Sequence, residues 1–424
     1  MSKVVSFVSA RGFVLLVSVG FVASGLWYGF FSPSVLYGQP YWQVPGDIWA
    51  TMRDAHYIAW GGFAAVYGTG AGLVALPGMP LLLAPVAALC SHLGLTEGFP
   101  FAIPHPTAWY VVGPVTISMG TLPLFATWRI TSDLAVPLSR RRIATVAIAV
   151  GCWPAVAMWG HPEDAVALSL SLWGLAAALR GRFGPAGWLF GAAMAIQPLA
   201  VLALPLAVGM AGVKRSPSLV LRAALFPGLL LALEMVGDFH STWKAFSSQP
   251  NYPTVDWPTP WLALAPKISP GVVAAGPGRA VSVLLAGVFG LWVGQRWGRG
   301  AQAGRWVLWA AGVAFALRCV LESVMVPYYV MPAVVCLVAA AAFAGRARLL
   351  GAGAAGAYVT VFTLWHYHVW PWYGAVVLSL GLLGWWSRPE FHTRKRPGDD
   401  NDAGDGEALV KFDRVAQPAS VGGA

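Results

Sequence analysis

Apolar runs long enough to cross a bilayer recur from one end of this sequence to the other, and they leave little choice of architecture. A hydrocarbon core about 30 Å thick needs roughly 17 to 25 mostly apolar residues per helix, and within it each backbone polar group must be satisfied internally. Runs of this kind fall at 11–31, 108–128, 143–160, 164–180, 217–236, 277–295, 306–323, 327–344, 349–367 and 371–387. The chain is 57% hydrophobic and 10% charged, where a soluble protein carries about 25% charged residues. The expectation is an all-α polytopic membrane protein with about ten to twelve transmembrane helices in one domain, 1–387. The first run, "GFVLLVSVGFVASGLWYGFF", has no small-residue cleavage site and is followed by many more, so it reads as a retained helix rather than a signal peptide.

Shorter pieces complete the pattern. Two stretches, 186–198 and 199–213, meet at "IQPLA", where proline breaks the backbone ladder and a membrane hairpin is expected. The stretch 78–94 reads as re-entrant or interfacial. Residues 47–67 are too polar to span, and Ile48, Trp49, Met52, Tyr57, Ile58 and Trp60 suit a helix lying in the interface. The tail 388–424, polar and rich in Gly and Asp, is expected to be a disordered cytoplasmic segment.

A net charge of +10 would suggest nucleic acid in a soluble protein. Here the charges fall at segment ends, where they orient a membrane protein, and no nucleic-acid partner is expected. With both termini cytoplasmic, Lys3/Arg11, Arg140–Arg142, Arg180/Arg182, Lys214/Arg215, Arg296/Arg299/Arg305 and Arg346/Arg348 all lie inside a plasma membrane. The same topology sorts the acids. Of Asp47, Asp54, Glu97, Asp133, Glu163, Asp164, Glu234, Asp238, Asp256 and Glu322, only Asp133 is cytoplasmic. Charges beside apolar segments are costly, so the pattern favours an outward-facing polar cavity.

The candidate residues lie in three outer stretches. "PGDIWATMRDAHYIAW" holds Asp47, Asp54 and His56; Asp47 suits a cap at a helix start, and Asp54 beside Arg53 suits an exposed ion pair. "GHPED" holds His161, Glu163 and Asp164, whose carboxylates equally suit the start of the descending helix. The loop 237–276 mixes Pro, Trp and Tyr with His240, Lys244, Asp256 and Lys267, a composition that fits interfacial anchoring or an anionic head group. Arg318 lies in an apolar run with Glu322 one turn on, either an i,i+4 pair or a functional charge. Tyr328, Tyr329, His366 and His368 fall at the same level.

No Walker, Rossmann or "HExxH" pattern occurs, so nucleotide hydrolysis and hydride transfer are not expected. Cys90, Cys152, Cys319 and Cys336 lie in apolar segments without metal-ligand spacing and read as packing residues. No ligand cluster implies a metal, and no cofactor is expected.

The stretch "GDIWATMRDAHYIAWGGFAAVYGTGAGLVALPGMPLLLAPVAAL" resembles the first outer loop of GT-C fold glycosyltransferases that use polyprenyl-phosphate sugars, most closely the GT87 group of actinobacterial mannosyl- and arabinofuranosyltransferases. The matching positions are Asp47, Ala55, Gly61 or Gly62, Val66–Tyr67, Pro77/Pro80 and Leu81–Pro85, followed by Gly160–Asp164, Arg180–Arg182 and Ala186–Pro198. Gln197 stands where the family often has Lys. The resemblance covers the first half of the chain and implies a GT-C-like bundle with Asp47 as the catalytic base. It implies a polyprenyl-phosphate sugar donor, a lipid-linked or polysaccharide acceptor, and transfer on the outer face with inversion. Inversion needs one base for the acceptor hydroxyl, and cations such as His240, Lys244, Lys267 and Arg318 would stabilise the departing phosphate. Mannose is favoured over arabinofuranose. The competing readings are a transporter or flippase of lipid-linked intermediates, which also uses broken helices, and a non-catalytic relative.

Overall fold

Prolines and glycines cut the apolar runs into separate helices, and the cuts set the architecture. The computed structural model describes residues 2–32, 35–36, 39–40, 42–63, 66–67, 76–96, 103–300 and 302–390. The expected tail therefore lies, from 391 on, outside the described residues.

The long first helix, α1 (Ser2–Phe31), is followed by the amphipathic α2 (Gly46–Ala59). This second helix stops short of the expected 67, because Gly61 turns the chain at φ +81. Next comes α3 (Gly78–His92), whose 15 residues make about 22 Å of helix, short of the roughly 30 Å hydrocarbon core. It packs on α2. The run at 108–128 forms α4 (Trp109–Met119) and α5 (Leu122–Asp133), stacked end to end. α6 (Leu138–Trp153) widens into a π turn at Pro154–Met158, and α7 (Pro162–Leu179) returns.

The hairpin follows, with α8 (Phe183–Ile196) leading to Gln197, whose extended backbone (φ −141, ψ 109) reverses the chain into a 3-10 turn and α9 (Leu204–Ala211). Then come α10 (Ser216–Gly237), the short α11 (Phe239–Ser248), α12 (Gly276–Trp297) and α13 (Ala303–Leu321). The bundle closes with α14 (Met331–Ala341), α15 (Arg346–Phe362) and α16 (Val369–Ser387).

The protein is a helical membrane protein. Among the described residues, six helical segments are long and apolar enough to cross a membrane, at 12–31, 109–133, 138–158, 216–237, 276–297 and 303–321. Ten to twelve were expected. Proline at 198 and 327 shortens two of the remaining apolar runs into broken pieces, α15 has 17 residues, and α7 and α16 are made less apolar by Glu163 and Asp164 and by Trp370, Trp372 and Tyr373 near their starts. The core is built on α7 and α14, buried nearly all round, as an evenly apolar helix must be. By contrast α1, α10 and α12 present exposed Leu15, Leu16, Leu225, Leu229, Leu284 and Val288, a surface suited to lipid.

The bundle has chemically different ends. At one, Asp133 pairs with Arg129 and Arg180, Arg140 donates to the Ala344 carbonyl, and Arg305 to that of Arg388. At the other, α1, α6, α10, α13 and α15 end, and α2, α7, α12 and α16 begin. The loop after α11 folds over this second end. It is held by antiparallel pairing of Trp257–Pro258 with Val324–Met325 and by the Trp257 indole, which donates to the Thr363 carbonyl (2.7 Å).

Candidate functional site

The turn "WGHPED" brings the first two outer stretches together. The π turn ending α6 delivers Trp159, and Gly160 then adopts φ +72. A Cβ at Gly160 would stand 2.6 Å from Pro45 Cβ and 3.2 Å from the Ile48 backbone nitrogen. Only glycine lets the start of α2 seat against this turn. The seat is reinforced by Trp49, buried against Trp109 of α4 with ring centroids 6.3 Å apart.

This contact sets Asp47 against His161. Nε2 of His161 lies 2.9 Å from Oδ2 of Asp47, and Nδ1 lies against Oε1 of Glu163. The imidazole bridges two carboxylates, and the Tyr328 ring stacks on it at 3.6 Å. The three members differ in exposure: the Asp47 side chain is 59% exposed, those of His161 and Glu163 only 13% and 14%. Burial alone would lower the His161 pKa, but Glu163 and Asp47 outweigh it and hold the ring well above the ordinary histidine value. The cap that Asp47 was suited to is not formed: Pro45 is the N-cap residue, without a side-chain hydrogen bond.

Asp164 lies one residue further, 6% exposed, and accepts a hydrogen bond from the Gln197 amide at 2.9 Å. The tip of the hairpin thus supports the turn through a neutral donor. Asp164, Gln197, Arg318, Tyr329 and Ser171 line a small cavity between α7, the hairpin and α13. The loop after α11 adds Asp256, within electrostatic reach of both Asp47 and His161. Burial pushes its carboxyl up to about 6, with the Asp47 charge acting in the same direction. Asp256 was visible only as one acid in an aromatic loop; nothing in its spacing tied it to Asp47.

Arg318 is engaged in a structural pair. It is 8% exposed, bonds Glu322 at 3.3 Å and stacks on Tyr329 at 3.5 Å. Glu322 is fully buried and also receives Arg279 of α12 at 2.7 Å. The i,i+4 reading of Arg318 holds, and Arg279, which no motif marked, is its complement.

The remaining candidates lie apart. His240 and Lys244 are exposed on α11, and Lys267 is exposed on a short strand. His56 is half-buried beside Trp60. Asp54 is not the exposed ion pair that the sequence suggested. It is 1% exposed, 3.6 Å from Arg53, because α2 turns that face onto the bundle. Burial pushes its carboxyl up to about 7 against the pull of Arg53. Asp54 and Glu234 lie within electrostatic reach of each other and of Tyr67, as a separate acidic group.

For a cation, one group stands out among the described residues. His161, Glu163 and Asp164 each offer a ligand atom, all within 4.8 Å of one another. The four cysteines are buried in the apolar interior, where packing residues sit. Neither the models of known protein families nor the curated proteins give a match to this chain.

Proposed function

We propose that this protein is a membrane glycosyltransferase that takes a sugar from a polyprenyl-phosphate donor, with Asp47 as the base. The observation that carries the reading is the Glu163–His161–Asp47 line, which holds an exposed carboxylate in one orientation at the acidic end of the bundle. The resemblance of 46–89 and 160–198 to the GT-C pattern names the chemistry, and the positive-inside distribution points this end outward.

In this mechanism the Nε2–H of His161 donates to Oδ2 of Asp47, leaving Oδ1 to accept the proton of an acceptor hydroxyl. The acceptor oxygen attacks the anomeric carbon as that proton leaves. The bond from the anomeric carbon to the phosphate oxygen breaks on the opposite face, with inversion. The lipid phosphate departs as an anion, so no general acid is required. The sugar is mannose, with arabinofuranose the competing pentose, and the acceptor is a cell-envelope glycolipid or polysaccharide.

The test is incorporation of radiolabel from polyprenyl-phosphate mannose, and separately from the arabinofuranose donor, into envelope lipid acceptors by the purified protein. Product whose formation depends on Asp47 supports the reading. Absence of transfer with both donors, together with movement of the lipid-linked sugar across proteoliposomes, would assign the protein to transport instead.

A further inference from the structure

The environment of Asp47 poses an electrostatic problem for any anionic donor. Glu163 and Asp164 lie on the turn that faces it, Asp256 lies within electrostatic reach, and the imidazole that touches it, His161, is shared with Glu163. Arg318 lines the cavity beside Asp164, but it and Arg279 are tied to Glu322. Lys244 and Lys267 are exposed elsewhere. Each of the two arginines beside this turn is thus already paired with a carboxylate, and a lipid phosphate approaching Asp47 meets several acids.

A second observation bears on the same place. Asp164 is 6% exposed, yet its Oδ2 has no hydrogen-bond partner, and Glu163 Oε2 is likewise buried without one. A buried carboxylate oxygen left without a donor is costly, and buried carboxylates are otherwise paired or coordinate metals. These two oxygens belong to the residues that, with His161, converge within 4.8 Å.

We propose that His161, Glu163 and Asp164 bind one divalent cation of the Mn²⁺ class beside Asp47. One imidazole nitrogen and two carboxylates form a mixed donor set that suits such an ion better than Ca²⁺ or a thiolate-seeking metal. Nδ1 of His161, on the Glu163 side, is the ligand. Nε2 then keeps its proton and donates to Oδ2 of Asp47, the arrangement by which metal-bound histidines are oriented by a carboxylate. Three protein ligands leave further positions open. On the glycosyltransferase reading, on which this purpose rests, an open position takes a phosphate oxygen of the donor, and the ion supplies the charge that the distant lysines do not.

The experiment uses the full chain, purified in detergent, stripped with chelator and titrated with Mn²⁺ while the free-ion electron paramagnetic resonance signal is read. The expected result is one tightly bound ion per chain. Asp164→Asn and His161→Ala should each weaken it at least tenfold, and Asp133→Asn at the opposite end should leave it unchanged. Melting curves identify variants that fail to fold, and Glu163→Gln replaces either one that does. Absence of Mn²⁺ binding above a detergent blank, or binding unaltered in the folded site variants, overturns the proposal. The titration needs no donor, so its failure is separable from failure of sugar transfer. Bound Mn²⁺ without transfer keeps the site and removes the activity, whereas transfer undiminished by chelator removes the ion's purpose.

Discussion

A carboxylate that only accepts a hydrogen bond and one that also takes a proton respond differently to conversion into the amide, and Asp47 can be sorted by that difference. The Asn amide oxygen can still accept from His161 Nε2–H, and the side chain is 59% exposed, so Asp47→Asn should keep the melting temperature. Labelled-sugar transfer should fall by about 10² to 10⁴, the usual contribution of a positioned base; near-normal turnover would remove Asp47 from the mechanism. Arg318→Gln should do the reverse. Breaking a buried pair costs about 3 to 5 kcal/mol, moderated here because Arg279 still serves Glu322. The melting point should drop while donor affinity changes little; a large loss of donor affinity in a stable variant would return Arg318 to the phosphate site. Asp54 gives stability a pH dependence. An aspartate ordinarily ionises near pH 4, but in the folded chain Asp54 holds its proton up to about 7. The folded state therefore binds the extra proton between these values, and stability falls as pH rises from about 4 to 7, then levels off. Its share is on the order of a few kcal/mol. Thermal unfolding across this range should show a smaller decline in Asp54→Asn than in the parent chain. An unchanged slope would mean that Asp54 is ionised throughout.

Helix positions were legible because apolar runs and breakers are local. The "IQPLA" hairpin follows from one proline, and the segment 78–94 is a helix too short to cross. What could not be read was how closely the helices approach. A Cβ on Gly278 would stand 1.8 Å from the Leu321 carbonyl oxygen, a backbone atom that cannot rotate away. This approach of α12 to α13 brings Arg279 onto Glu322. On α9 and α12, Gly209 faces the Leu291 carbonyl oxygen at 2.5 Å and Gly294 that of Leu206 at 2.4 Å, again measured from a notional Cβ. Small residues permit such backbone contact between membrane helices. Gly278→Ala should therefore destabilise by about 1 to 3 kcal/mol, as overpacking does, and loosen the Arg279–Glu322 pair. Gly287, with nothing near its Cβ, should tolerate alanine without a shift in melting temperature. Equal effects at the two positions would show that helix propensity rather than close packing governs α12.

At the scale of the molecule, the separation of acids from bases makes a topological prediction. A reporter joined after residue 387 should be active only in a form that works in the cytoplasm, and one inserted at Ser247 only in a form that works outside. Cytoplasmic labelling at Ser247 would invert the proposed orientation and the side of the chemistry together. The separation itself was written in the sequence, because most charges lie near the ends of apolar runs. The sequence by itself determined the helical membrane class, the breaks in the runs, the sorting of Asp133 from the other described acids (Glu97 lies outside the described residues) and the prominence of Asp47. Those are properties of neighbours along the chain. Tertiary structure alone decided that His161 lies between Asp47 and Glu163, that Asp256 joins them and that Lys267 does not. It also brought Arg279 onto Glu322 and turned Asp54 inward. Each of these outcomes depends on which helix faces meet and how closely, and that is set by packing between segments distant along the chain, to which composition and spacing are blind.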